Sequence, residues 1–136
     1  MKICVYAIAK NEEKFVERWV SSMREADGIY VLDTGSTDQT VEKLADLGVT
    51  VHQEIIEPWR FDTARNRSLE LVPADADVCV CTDLDEVFQP GWREALEKSW
   101  TDGTEQIRYL YIWNVKSDGT PGTSFQYEKT HARHGF

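Results

Sequence analysis

Short apolar runs alternate with amphipathic stretches along roughly the first hundred residues of the chain. Residues 2–8 read as a strand that ends in the polar Lys10-Asn11-Glu12-Glu13. From about Glu12 to Arg24, Val16, Trp19, Val20 and Met23 recur at helical spacing. Asn11 is placed to cap that helix, and the glutamates of its first turn suit the helix dipole. Residues 29–33 form a second apolar run, and Gly35 breaks the chain after it. Ser36 and Gln39 then have the spacing of a capping box. The helix they open carries Val41, Leu44, Ala45 and Leu47 and stops at Gly48. A short strand, 49–52, and an acidic loop lead to a helix over 61–71 with Phe61, Ala64, Leu69 and Leu71 as its apolar members. Residues 78–82 are apolar on both faces, as in a central parallel strand covered by helices. A last helix spans about Pro90 to Trp100, with Pro in its first turn. Beyond it the pattern changes to an aromatic strand, 107–115, a Gly/Pro-rich turn and a hairpin partner over 123–129.

This order predicts an α/β fold: an open, mostly parallel, Rossmann-like sheet with helices on both faces and a C-terminal antiparallel addition. The length of 136 residues fits a single domain, 1–136. Ligands of such sheets bind beyond the carboxyl ends of the strands. Three polar clusters fall at those ends: Asn11-Glu12, Asp33-Thr34-Gly35, and Asp83 to Glu86.

Composition narrows the partners. The net charge of -9 argues against a nucleic-acid or anionic-membrane surface, since both require a basic face. An anionic ligand would then need a local cation, either a metal or a few placed arginines. No apolar run approaches the ~18 residues of a membrane span. The N-terminus turns polar too early for a signal peptide, so the expected location is cytoplasmic. Cys4, Cys79 and Cys81 sit in apolar strands and read as free buried thiols.

Asp83 and Asp85, two apart past a buried strand, share a face if extended geometry persists, with Leu84 turned inward. Two such carboxylates stay ionised together only if a cation or hydrogen-bond donors offset their repulsion. An oxygen-only ligand set favours Mg²⁺ or Mn²⁺; the alternative is a solvated turn whose acids cap the next helix. Asp33 can accept hydrogen bonds from a nucleobase or ribose, or serve its own strand-to-helix turn. Arg60, Arg65 and Arg67 concentrate positive charge in an acidic chain. Arg65 could reach a phosphate or base, or pair with Asp83 or Glu86. His131 and His134 are spaced to share a metal on a helix, but a position near the end of the chain favours an unstructured tail.

The stretches AKNEEKFVERWVSSM, VLDTGSTDQTVEKL, FDTARNRSLELV and CVCTDLDEVFQPGWREAL together resemble the inverting glycosyltransferase family 2, of the GT-A fold. In order and spacing they cover roughly residues 3–97. The resemblance implies a metal-dependent transfer from a nucleotide-diphosphate sugar, expected to be a UDP-sugar. It implies Asn11 and Glu12 at the lip of the nucleotide pocket, Asp33 on the nucleobase, and Arg65 near the nucleoside or diphosphate. It also implies Asp83 approaching the ribose or the metal, and Asp85 ligating Mn²⁺ or Mg²⁺. The acceptor, a saccharide, lipid or protein, is undefined.

The family's general base lies downstream, and Glu105, Asp118 and Glu128 sit in no convincing motif. The ending KTHARHGF reads as an interior stretch cut before the acceptor half. One alternative is therefore a non-catalytic nucleotide-sugar-binding module. Another is a haloacid-dehalogenase-type phosphatase, with Asp83 as nucleophile and Asp85 as acid/base, although that signature belongs on a first strand.

Overall fold

Strand β1 (Ile3–Ala9) has no polar face: apart from half-buried Ile8, every residue in it is buried. A strand of this kind must lie inside a sheet with helices over both sides. The structure, a computed structural model, describes residues 1–101, 104, 106–112 and 124–134, the side chains of 106–112 and 124–129 excepted. Within it β1 is joined by β2 (Gly28–Asp33), β3 (Thr50–Gln53), β4 (Val78–Cys81), β5 (Gln106–Ile112) and β6 (Ser124–Ala132). The strand order is β3-β2-β1-β4-β6-β5.

Alternation along the central strands sorts the core into two layers. Ile3, Val5, Ala7 and Ala9 of β1, with Val31, Val78 and Val80, meet α1 (Val16–Met23), α2 (Thr40–Asp46) and α4 (Trp92–Ser99). Cys4, Tyr6, Cys79 and Cys81 face the other way, under Leu69 of α3 (Phe61–Glu70) and the following Val72 and Ala76. The apolar stripe read in the first helix is all inside, since Val16, Trp19, Val20 and Met23 are at most 1% exposed. Each such aliphatic side chain contributes about 1.5–3 kcal/mol on burial. The three thiols are free and buried, and burial pushes Cys79 up to about 12, far from a reactive thiolate.

The chain builds β1, β2 and β3 outward in one direction, then crosses the sheet through α3 to place β4 on the other side of β1. The strand order therefore reverses between β1 and β4; β4 ends at Cys81, opposite Tyr6, and β1 runs on to Ala9. β6 pairs antiparallel with β4, and Thr130 stands opposite Val80. Its residues 124–128 accordingly extend past the carboxyl end of β4, with β5 alongside.

Several boundaries differ from the sequence reading. The segment from Glu12 begins as a 3₁₀ turn, Glu13–Phe15, and Asn11 does not cap it. The capping box does not form either: α2 starts at Thr40, where Asp38 accepts the Thr40 N–H at 3.0 Å. Ser36 is diverted: its hydroxyl donates to the Asp33 carboxylate and accepts the Asn11 N–H at 2.8 Å, while the Gln39 N–H goes to Glu13 Oε2 at 3.2 Å. Gly48 does close α2, at φ 85°. α4 begins at Trp92 rather than Pro90; Gly91, at φ 88°, precedes it, and the Glu25 carboxylate caps it by accepting from Gly91 and Arg93 N–H. In α3 the inward positions are Ala64 and Ser68, whereas Phe61 is 56% exposed.

The ending KTHARH is not a loose tail. His131 lies in β6, 6% exposed, with its Nε2 2.7 Å from the Tyr6 hydroxyl. Its Nδ1 is 2.7 Å from the Ala132 carbonyl, which can only accept, so Nδ1 carries the proton and Nε2 accepts from Tyr6. His134 instead reaches the Ala74 carbonyl at 3.1 Å. The two rings serve separate contacts and do not converge on a metal.

Burial holds the His131 imidazole below its ordinary value of 6.5. Below that pH the unfolded chain takes up a proton that the folded chain resists. The stability this group contributes is thus present above pH 6.5 and is lost as the pH falls toward the lowered folded value. Tyr6→Phe should cost about 1–2 kcal/mol in urea unfolding at neutral pH. Nitrogen NMR of the unmodified chain should show the Nδ1–H tautomer at His131; an Nε2–H ring would contradict the assignment.

Candidate functional site

The apolar run of β4 ends at Cys81, and the chain turns at once. Thr82 is buried, Asp83 exposed, Leu84 buried, Asp85 exposed and Glu86 buried. The alternation expected from two-apart acids is therefore present, with Leu84 anchored in the core at 1% exposure. Glu86 folds its side chain back, Oε1 accepting the Asp83 N–H at 2.8 Å, while its own N–H reaches the Asp83 carbonyl at 3.0 Å. Carboxylate oxygens of Asp83, Asp85 and Glu86 can all lie within 4.8 Å of one another. Three hard oxygen donors this close, two of them facing solvent, suit a divalent cation of the Mg²⁺ or Mn²⁺ type.

Glu12 belongs to the same electrostatic unit from across the β1/β4 boundary. Its backbone N–H donates to Thr40 Oγ1 at 2.9 Å, which draws the end of β1 onto the start of α2. Burial, and then the negative charges of Asp85 and Asp83, hold the Glu12 carboxyl above the usual range. The structure thus brings Glu12, Asp83 and Asp85 to one edge.

Asn11 and Asp33 shape the neighbouring loop, 34–38. Asn11 adopts φ 53°, a left-handed conformation that asparagine tolerates. From there its Oδ1 accepts the Thr37 N–H at 2.8 Å and the Asp38 N–H at 3.3 Å, and its own N–H goes to Ser36 Oγ at 2.8 Å. Asp33 is fully buried, its Oδ2 accepting Gly35 and Ser36 N–H at 3.1 and 2.9 Å and its Oδ1 the Ser36 hydroxyl. Gly35, at φ 124°, makes the loop possible, since a side chain there would be strained. The side-chain oxygens of Asp33 and Asn11 thus tie the loop.

Arg65 resolves its open choice differently. Among the described residues it forms no ion pair, with Asp83, Glu86 or any other acid. Its guanidinium lies 4.7 Å from the Phe61 ring centroid, and its buried Nε has no hydrogen-bond partner. By contrast Arg60 pairs with Asp62, and Arg67 with Glu54 and Glu70. Arg65 is therefore the arginine of this group left available to an anion.

The sequence reading passed over Arg18 and took Trp19 only as a core residue, yet both touch the acidic turn. Trp19 Nε1 donates to Thr82 Oγ1 at 2.8 Å, and Arg18 Nη2 to the Asp85 carbonyl at 3.1 Å. The signal for Trp19 was there to be used: an indole on a helix's buried face needs a partner for its N–H. Glu105 and Asp118 lie outside the described residues, and Glu128 is described only in its backbone.

A switch point in an open α/β sheet, with an acidic turn and a tied loop at its carboxyl edge, defines a ligand-binding fold of the GT-A type. The chain belongs to glycosyl transferase family 2, whose model matches residues 4–132. That match also sets aside the phosphatase reading of Asp83 and Asp85. An uncharacterized glycosyltransferase of Rickettsia bellii is 39% identical over 110 residues, 80% of this chain and 36% of that protein. Among solved structures, glucosyl-3-phosphoglycerate synthase of Mycobacterium tuberculosis with UDP superposes with a TM-score of 0.67 at 25% identity, over 83% of this chain and 45% of that one. The same enzyme with Mn²⁺, UDP and glucosyl-3-phosphoglycerate gives a TM-score of 0.64 at 25% identity, over 79% and 43%. The chain thus spans less than half the length of these relatives.

Because burial and two like charges penalise the ionised Glu12, its folded pKa is raised and its charge costs stability above the carboxylate range. Glu12→Gln should raise the thermal midpoint of the metal-free chain at pH 7. The gain should shrink as the pH falls through the folded Glu12 value, where the native carboxyl is already neutral. A lower midpoint for the variant at pH 7 would contradict this electrostatic picture.

Proposed function

We propose that the chain is the donor-binding domain of a metal-dependent, inverting glycosyltransferase that uses a nucleoside-diphosphate sugar, with uridine as the nucleoside. The observation that carries this reading is the convergence of the Asp83-Asp85 turn, Glu12 and the Asn11–Asp33 loop at the sheet's switch point in a family 2 chain. The Mycobacterium tuberculosis enzyme of like fold, in complex with UDP and Mn²⁺, supports the choice of nucleotide and of cation.

In this reading Asp85 ligates the cation, Mn²⁺ or Mg²⁺, and Asp83 faces the cation or the ribose. A bound divalent cation stabilises the negative charge that develops on a departing diphosphate. Glu12, at the lip of the pocket, adds negative potential that favours cation entry. Asn11, at the lip of the pocket, and Asp33, on the nucleobase, receive the nucleoside at the loop they tie. Arg65, with no acidic partner among the described residues, takes the diphosphate or the nucleoside. Among the described residues no helix is long and apolar enough to cross a membrane.

Asp85→Ala should abolish the Mn²⁺-dependent part of UDP binding in calorimetry while leaving the circular dichroism unchanged. Unaltered metal-dependent affinity in that variant would overturn the assignment. UDP release from a panel of UDP-sugars, with and without Mn²⁺, then separates turnover from binding. Binding without release would favour the non-catalytic module.

A further inference from the structure

Asp83 and Asp85 carry like charges on one short turn, with Glu12 adding a third nearby. Without a cation their repulsion pushes the turn open, so something must hold it in a shape that a cation can use. Two neighbouring residues of α1 meet that turn. Trp19, fully buried, donates its indole N–H to the hydroxyl of Thr82, itself 1% exposed, at 2.8 Å. Arg18, on the rim of the same helix, donates Nη2 to the Asp85 carbonyl oxygen at 3.1 Å. Its guanidinium lies 5.4 Å from the Phe15 ring centroid, which restricts the side chain before any ligand arrives.

The choice of acceptor atom matters. Arg18 takes the main-chain oxygen of Asp85, and among the described residues it makes no ion pair with the Asp85 carboxylate. The cation therefore lowers the local repulsion and fixes the backbone without occupying the oxygens that would bind a metal. Trp19 and Leu84 pin the start and middle of the turn from the core, and Arg18 pins its far end. We infer that Arg18 and Trp19 are positioning residues that pre-form the acidic turn for a divalent cation and its bound diphosphate. This inference rests on the donor-binding reading above.

The test uses the full chain and two probes, UDP and Mn²⁺. Arg18→Met keeps the apolar stem over Phe15 and removes the donor; because Arg18 is exposed, the variant should fold. Thr82→Val removes the indole's acceptor with little change in volume, and Arg18→Lys restores a cationic donor. Loss of an outer-shell partner typically weakens metal affinity about 10–100-fold. Arg18→Met and Thr82→Val should lower Mn²⁺-dependent UDP affinity by about that factor, with Arg18→Lys recovering most of it. UDP affinity without metal should stay near that of the unmodified chain in both variants, and so should the thermal midpoint of Arg18→Met, whereas Thr82→Val, which leaves a buried indole N–H unpaired, should lower the midpoint. In the metal-free protein, amide exchange at residues 83–86 should accelerate in Arg18→Met. Undiminished Mn²⁺ dependence and unchanged exchange in both variants would overturn this inference alone. A parallel fall of the midpoint and of metal-free affinity would reduce the contacts to ordinary structural staples and overturn it as well. Absence of any Mn²⁺ dependence in the unmodified chain would overturn the donor-binding reading and this inference with it.

Discussion

Strands buried on both faces leave polar side chains only one place to go, and the rest of this molecule follows from that constraint. β1 and β4 supply Ile3, Cys4, Val5, Val78, Cys79 and Val80, all at 0% exposure, so nothing charged fits along their length. Charge appears where each strand ends, at Asn11-Glu12 and at Asp83 to Glu86. Because β4 is placed beside β1 by a crossover rather than in sequence, two polar ends far apart in the chain become neighbours. The mutual repulsion of Glu12, Asp83 and Asp85 is the electrostatic signature of that meeting.

The polar groups at this edge divide into those that build the site and those that face outward. Asp33, Asn11 and Glu86 spend side-chain oxygens on backbone N–H groups of residues 35–36, 37–38 and 83. Such bonds satisfy donors that a tight loop would otherwise leave bare. Asp83 and Asp85 remain exposed to solvent, and Arg65 stands on the opposite layer without an acidic partner among the described residues. The rigid parts of the edge are thus acids and amides acting as turn formers, and they hold the remaining charges in place.

Much of this was legible from pattern alone. Helical spacing identified the α1 core stripe, and the apolar VCVC run marked a central strand followed by acids. Less legible was competition among local hydrogen bonds. Ser36 has the spacing of a helix cap, yet its oxygen accepts the Asn11 N–H, its hydroxyl goes to Asp33, and the Gln39 N–H goes to Glu13. Phe61 has the hydrophobicity of a core residue, but it stands exposed at the start of α3 and Ala64 and Ser68 go inside instead. His131 looked like part of a tail because its partner, Tyr6, is 125 positions away and only the sheet brings them together. The contacts of α1 with the acidic turn were hidden for the same reason, being set by the crossing of elements rather than by any local motif.

The central claim is that the β1/β4 carboxyl edge holds a cation and a nucleoside diphosphate. Crystals of the chain grown with UDP and Mn²⁺, measured at the manganese absorption edge, test it most directly. The account predicts an anomalous peak within coordination distance of an Asp85 carboxylate oxygen, with the diphosphate on that ion and the uridine against loop 34–38. A nucleotide bound elsewhere, or a manganese peak away from Asp83 and Asp85, would contradict it.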